Sequence, residues 1–346
     1  MVQSARLITA EPEITEPVRL CTKSGLLRRR SVGWSRRPLH TCNLRGQWPR
    51  KKRWNYWAIN NDRYLFSATV ANLDYLGIAF VYFLDFGTRR LIEKTFTTPL
   101  AVGCRLSDEP SGDATCAHKT LFVSFLDRGE AGTRISVAAP RFGGLPLAAD
   151  LQVTPAPGQE SLNVVIPWSR RRFQFTSKQN ALPVSGSVRI GGEEYAFEAG
   201  DSFACLDFGR GIWPFSSFWN WGAASGRQNG RVLGLNLGGS WTDGTGMTEN
   251  GVCIDGRLTK IGEELKVGYS RRDLMRAWTV RTRGSDAVDL RFEPFFERVA
   301  RTNLFLLKSE VHQLFGHYSG SVLSEDGETV KIEGLLGWVE QHQARW

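Results

Sequence analysis

Methionine is scarce in this 346-residue chain, with three copies. The six cysteines, at 21, 42, 104, 116, 205 and 253, form no Cys-x-x-Cys pair. Single scattered thiols suggest buried small hydrophobes in a reducing compartment. The five histidines, His40, His118, His312, His317 and His342, have no metal-ligand spacing, so no metal site is expected. His312 and His317 are five apart, so on one strand they would point to opposite sides. No glycine-rich loop ends in Gly-Lys-Ser/Thr, and no dinucleotide fingerprint, Gly-x-Ser-x-Gly elbow or His-Glu-x-x-His occurs. Nucleotide use, cofactor-dependent redox chemistry and zinc hydrolysis therefore lack their motifs, and no cofactor is expected. The longest apolar run, Leu76 to Leu84, is too short to cross a bilayer. The first residues lead into a polar stretch with Glu11, Glu13 and Glu16, not an apolar leader. A cytoplasmic location is the expectation.

Acidic residues are missing between Arg19 and Arg53, where twelve basic residues lie. The net charge is +9, so without those twelve it would be 9 − 12 = −3. A mildly acidic body thus carries one cationic segment, threaded by Trp34 and Trp48 and followed by Trp54 and Trp57. Three roles are open to it. It can fold back on the body as a belt, for which its large apolar residues speak. It can meet an anionic lipid surface, or nucleic-acid phosphates with tryptophans stacked on bases. Arg36, Arg37, Arg50, Lys51, Lys52 and Arg53 are the candidate anion contacts.

What is abundant is β pattern. Twenty phenylalanines, twelve tryptophans and 36 glycines favour strands and tight turns. Apolar–polar alternation recurs in Phe173-Gln174-Phe175-Thr176, Trp278-Thr279-Val280-Arg281, Val288 to Glu293 and Val330 to Glu333. Turn signals include Asn60-Asn61-Asp62, Gly191-Gly192 and Asp255-Gly256. One or two helical turns are expected over Arg271 to Ala277, capped by Ser270. Gly103 to Ala117 and Pro140 to Glu160 read as long loops. Ser185-Gly186-Ser187-Val188 returns as Ser319-Gly320-Ser321-Val322, and upstream Phe173, Ser177 and Leu182 are spaced like Phe305, Ser309 and Leu314. This predicts a basic segment over 1–53 and a duplicated β domain over 54–200 and 201–346.

Several strings together resemble an uncharacterised bacterial family, domain of unknown function 2804. They are Leu20-Cys21 with Gly25, Val32 to Leu39, Arg50 to Trp57, Leu206 to Pro214 and Trp219-Asn220-Trp221. The layout is more distantly similar to lipocalin-like tandem-barrel proteins, which include carotenoid hydratases, tocopherol cyclase and fungal cyclases. That resemblance implies an all-β fold of two calycin-like antiparallel barrels, with an apolar ligand in or between them.

The richest stretch for chemistry is Cys205 to Trp221. Large apolar walls with a few fixed polar groups make a ligand pocket, and Arg210, Trp213, Trp219, Asn220 and Trp221 supply both. Asp207, kept neutral by burial, is the expected proton donor, with aromatic faces to stabilise a cation. A buried Asp207–Arg210 pair bracing an aromatic junction is the alternative. The glycine-rich run Leu237 to Gly246 reads as a loop over a barrel mouth, with Asp243 and Glu249 as acid/base candidates or ordinary surface turn residues. Glu340, beside Trp338 on the last apolar strand, faces either a lumen or solvent. The expected function is binding of a hydrophobic small molecule, a lipid or isoprenoid, with cofactor-free acid catalysis (cyclisation or hydration) as an extension. The alternative is a nucleic-acid or anionic membrane-surface module.

Overall fold

A computed structural model describes residues 9–304 and 307–346. Met1 to Ile8, read above for a leader, and Phe305 of the repeat lie outside them. Among the described residues there is no α-helix, and none long and apolar enough to cross a membrane.

Two large antiparallel sheets carry the chain. The first runs, in spatial order, Leu91–Pro99, Leu76–Asp85, Tyr64–Asn72, Lys51–Asn60, Phe203–Ile212, Arg172–Ile190, Leu145–Val153, Thr133–Phe142, Leu121–Asp127, Ala114–His118, Cys104–Leu106. The second runs Arg257–Ile261, Asn250–Ile254, Arg231–Gly239, Ser216–Gln228, Thr329–Arg345, Leu307–Leu323, Val288–Leu304, Trp278–Thr282, Leu265–Gly268. Each curls until its far strands meet. Phe96, on one edge of the first, stacks on His118 from the other end at 4.2 Å. The chain crosses from sheet to sheet at 213–215, about a dozen residues beyond the boundary read near Gly200.

Three local expectations are corrected. Arg271 to Ala277 forms open turns, with the Met275 amide donating to Asp273 Oδ1, and no helix follows Ser270. The two supposed loops contain strands, because their short alternating runs pair as hairpins (Cys104↔Cys116, Ala139↔Leu147). Those hairpins set Cys104 opposite Cys116, Cα to Cα 4.1 Å, in a disulfide, while the other four cysteines are free and buried.

The repeat has a structural counterpart. Gly186 lies opposite Leu151 and Gly320 opposite Leu290, with φ of 126° and 136°. A side chain at either would strike a carbonyl across the strand pair, that of Asp150 or of Asp289. Each of those aspartates bridges an arginine on the next strand out, Arg134 or Arg281, at 2.7 Å.

Both interiors are packed, contrary to the expectation of a ligand-sized lumen. Phe66, Phe83, Phe125, Phe173 and Phe175 fill the first, and Trp278, Phe292 and Tyr318 the second. The N-terminal segment plugs one end of the first interior with Leu20, Leu27, Cys42 and Leu44, while His40 packs on Phe175 at 4.8 Å. Five of its cations contact the body, while Arg19, Lys23, Arg29, Arg30, Arg37 and Arg45 are exposed. Arg36 contacts Glu13, Glu160 and Glu325. Lys51 and Arg53 share Asp74 at 3.0 and 3.4 Å. Arg50 donates to the carbonyls of Trp213 and Trp346. Lys52 is buried over the Tyr75 and Trp346 rings, and only Arg37 of the six candidates is exposed.

Candidate functional site

Six of the twelve tryptophans gather between the two sheets, around a cavity of about 260 Å³. The outward face of Lys51–Asn60 sends in Trp54 and Tyr56, and Ser216–Gln228 sends in Trp219 and Trp221. Trp213, Trp241 and Trp346 complete the aromatic wall, with Trp213 and Trp241 stacked at 5.2 Å. Positions 207, 209 and 211 share one face of their strand. Glycine at 209 leaves the space that the Trp54 indole occupies.

A charged cluster lies deep in this wall. Lys178 is opposite Asp207 in register, and its ammonium is 2.8 Å from Asp207 Oδ1 and 3.1 Å from Glu249 Oε2. Trp54 Nε1 and Thr176 Oγ1 also donate to Asp207, at 3.1 and 3.2 Å, and Trp241 Nε1 donates to Glu249 at 2.7 Å. Burial alone would lower the Lys178 pKa, but the two carboxylates outweigh it and raise the value well above normal. Burial raises that of Glu249, with Lys178 opposing.

Glu340 enters the cavity from the other sheet. Its carboxyl is pushed up to about 8, first by burial and then by the negative charge of Asp207, while Arg298, Lys178 and the Trp219 indole oppose the shift. His342, two residues on, lies against the Trp219 ring at 3.9 Å, and its Nε2 is 2.8 Å from Ser309 Oγ. Burial drops its pKa to about 3. At the floor, Gln313 Nε2 donates to Tyr56 Oη at 3.2 Å, Tyr56 to Tyr82 at 2.7 Å, and Tyr82 back to Gln313 Oε1 at 2.9 Å. This closed ring of hydrogen bonds joins the two sheets.

Of the residues singled out by sequence, Asp207, Trp213, Trp219, Trp221 and Glu249 line the cavity. Glu249 is buried, so its reading as a surface turn residue is corrected. Arg210 points the other way, into the plugged end of the first sheet, where it donates to Asn55 Oδ1 and the Ser107 carbonyl. It does not pair with Asp207, because residues three apart on a strand face opposite sides. Asn220, between two cavity tryptophans, faces away and donates to the Glu340 carbonyl. Asp243 is outside, paired with Arg283 at 2.7 Å. Sequence reasoning missed Lys178, Gln313 and His342. Gln174, Thr176 and Lys178 are the polar half of an alternating strand, a pattern that ordinarily marks the solvent face. Here that face lines the seam between sheets.

A family model described as "Domain of unknown function (DUF2804)" matches residues 11–346. No curated protein matches. Among solved structures the chain is similar to a protein assigned as AttH from Nitrosomonas europaea, at 12% identity and TM-score 0.48, covering 84% of this chain and 92% of that one. It is similar to CghA, solved with Sch210972, at 9% identity and TM-score 0.47, covering 86% and 89%. It is also similar to kievitone hydratase from Nectria haematococca, at 10% identity and TM-score 0.45, covering 85% and 88%.

Proposed function

The chain belongs to the domain of unknown function 2804 family, a name without an activity, and we propose that it binds a small hydrophobic molecule, a lipid or isoprenoid, between its two sheets. The observation that carries this is the cavity itself. A space of about 260 Å³ is walled by tryptophans and holds a few fixed polar groups. That mix of apolar wall and convergent polar groups suits ligand capture. Lys178, bridged between Asp207 and Glu249, fixes one polar cluster. The test is titration of the purified chain with fatty acids and isoprenoid alcohols, read by tryptophan emission. Saturable quenching that weakens at least ten-fold in Trp219→Ala supports the proposal. A flat response across the panel refutes it.

We further propose acid catalysis on that ligand, with Glu340 rather than Asp207 as proton donor. Asp207 accepts from three donors, one of them the Lys178 ammonium, and serves as an anchor. Glu340 keeps its proton through neutrality because burial raises its pKa to about 8. An alkene would take that proton with its π electron pair, leaving a carbocation facing indole rings that attract positive charge. Addition of water, or attack by a second double bond, followed by loss of a proton to the Glu340 carboxylate, closes the cycle without a cofactor. The check is turnover of a bound isoprenoid by the native chain and by Glu340→Gln.

A further inference from the structure

The strands of both sheets share a direction, so the molecule has two distinct ends. At one end lie the starts of Lys51–Asn60, Arg172–Ile190 and Leu307–Leu323, the end of Thr329–Arg345, and the turn after Leu91–Pro99. Arg50, just before Lys51, donates to the Trp346 carbonyl, which sets the two sheets' matching ends side by side. The cavity reaches this end through Leu73, Thr302, Leu307 and Trp346.

The same end carries exposed apolar side chains. Trp48 is 65% exposed, Leu100 64%, Val102 69% and Phe215 51%. Phe215 sits between the guanidinium groups of Arg50 and Arg345, at 5.7 and 5.1 Å. Leu100 and Ala101 are consecutive non-glycine residues at φ 53° and 54°. L-residues adopt that region at a cost, and here it is borne by a turn that holds Leu100 and Val102 out in water. Backbone strain of this kind tends to accompany a function. Exposed cations surround the patch: Arg170 and Arg171 on a hairpin tip, Lys308 and Arg345. Asp74, a carboxylate at this end, is buried under Lys51 and Arg53. The opposite end is mixed in sign: Asp62, Asp255, Glu325 and Glu328 in its turns each pair with an arginine, Arg63, Arg231 or Arg36.

We propose that the basic end docks on an anionic lipid bilayer, with Trp48, Leu100, Val102 and Phe215 entering the headgroup region, so that the cavity mouth opens toward the lipid. Aromatic and aliphatic side chains flanked by arginine suit that interface. Arginine and lysine near an anionic leaflet add attraction that fades within a Debye length, and the exposed apolar side chains, gathered at this end, orient the molecule. Docking deepens the ligand reading by naming the source of the ligand. It is measured on its own, because vesicle binding needs no cavity ligand.

The test is cosedimentation of the full chain with vesicles. One set is phosphatidylcholine alone, the other equal parts phosphatidylcholine and phosphatidylglycerol. Binding to the anionic set only, weakened by salt and reduced about ten-fold in Leu100→Asn/Val102→Ser and in Trp48→Ser/Phe215→Ser, is the expected result. Glu325→Gln/Glu328→Gln, at the far end, should bind as the native chain does. Thermal melts check that each variant is folded. No binding to anionic vesicles would overturn the proposal. So would binding that ignores the apolar changes, or a dimer in lipid-free solution that the apolar changes dissolve. Quenching by a soluble ligand that persists while vesicle binding fails would leave the cavity reading standing and remove only this one.

Discussion

Glu340 and Asp207 approach one cavity from opposite sheets, and the charge on Asp207 helps keep the proton on Glu340. In the proposed reaction Glu340 is the proton donor, and Asp207, which accepts from Lys178, Trp54 and Thr176, is the anchor beside it. Lys178 is the cation on the Asp207 side of the cavity, 2.8 Å from Asp207 and 3.1 Å from Glu249.

Glu340→Gln should change stability in a pH-dependent way. An acid with a raised folded pKa holds its proton more tightly in the folded state. Its stabilising effect is complete below the ordinary value of 4.5 and is lost as pH rises toward about 8. Glutamine removes that loss. Relative to the native chain, the variant should gain stability between pH 5 and pH 8, to be read from urea midpoints. An identical pH slope in both proteins would contradict the assignment.

Lys178→Met should cost about 3–5 kcal/mol, because it leaves two buried carboxylates without their cation. Adding Asp207→Asn and Glu249→Gln should recover part of that loss, since no carboxylate then remains unpaired. Denaturant unfolding of the single and triple variants separates this from simple loss of packing.

Gly186→Ala and Gly320→Ala should each destabilise by about 2 kcal/mol or more, since both combine an unfavourable φ with a collision across the strand pair. Similar losses are expected, because the two glycines hold equivalent places in the two sheets. If one is neutral, the equivalence is superficial.

The all-β architecture and the meeting of tryptophans with Asp207 were legible in the chain, because alternation and aromatic clustering are local signals. Parity was legible too: Asp207 and Arg210 are three apart, and Asn220 stands between Trp219 and Trp221, so period two alone separates them. What alternation cannot tell is whether a strand's polar face meets water or a second sheet. Lys178, two residues past the run Phe173 to Thr176, therefore carries no signal of its own, and Glu340 could go either way. Nor did it show that phenylalanines would fill the barrel interiors and leave the space at the seam. Partners brought together across the fold, such as Tyr82 with Gln313, leave no local trace, because 231 positions separate them.

The most direct measurement is native mass spectrometry of the protein purified without detergent from cells that make it naturally. A hydrophobic molecule should ride with the folded chain, be released on unfolding, and be diminished in Trp219→Ala. A bare chain mass in gentle ionisation, together with no uptake when the protein is incubated with the host's lipid extract, would contradict ligand binding between the sheets.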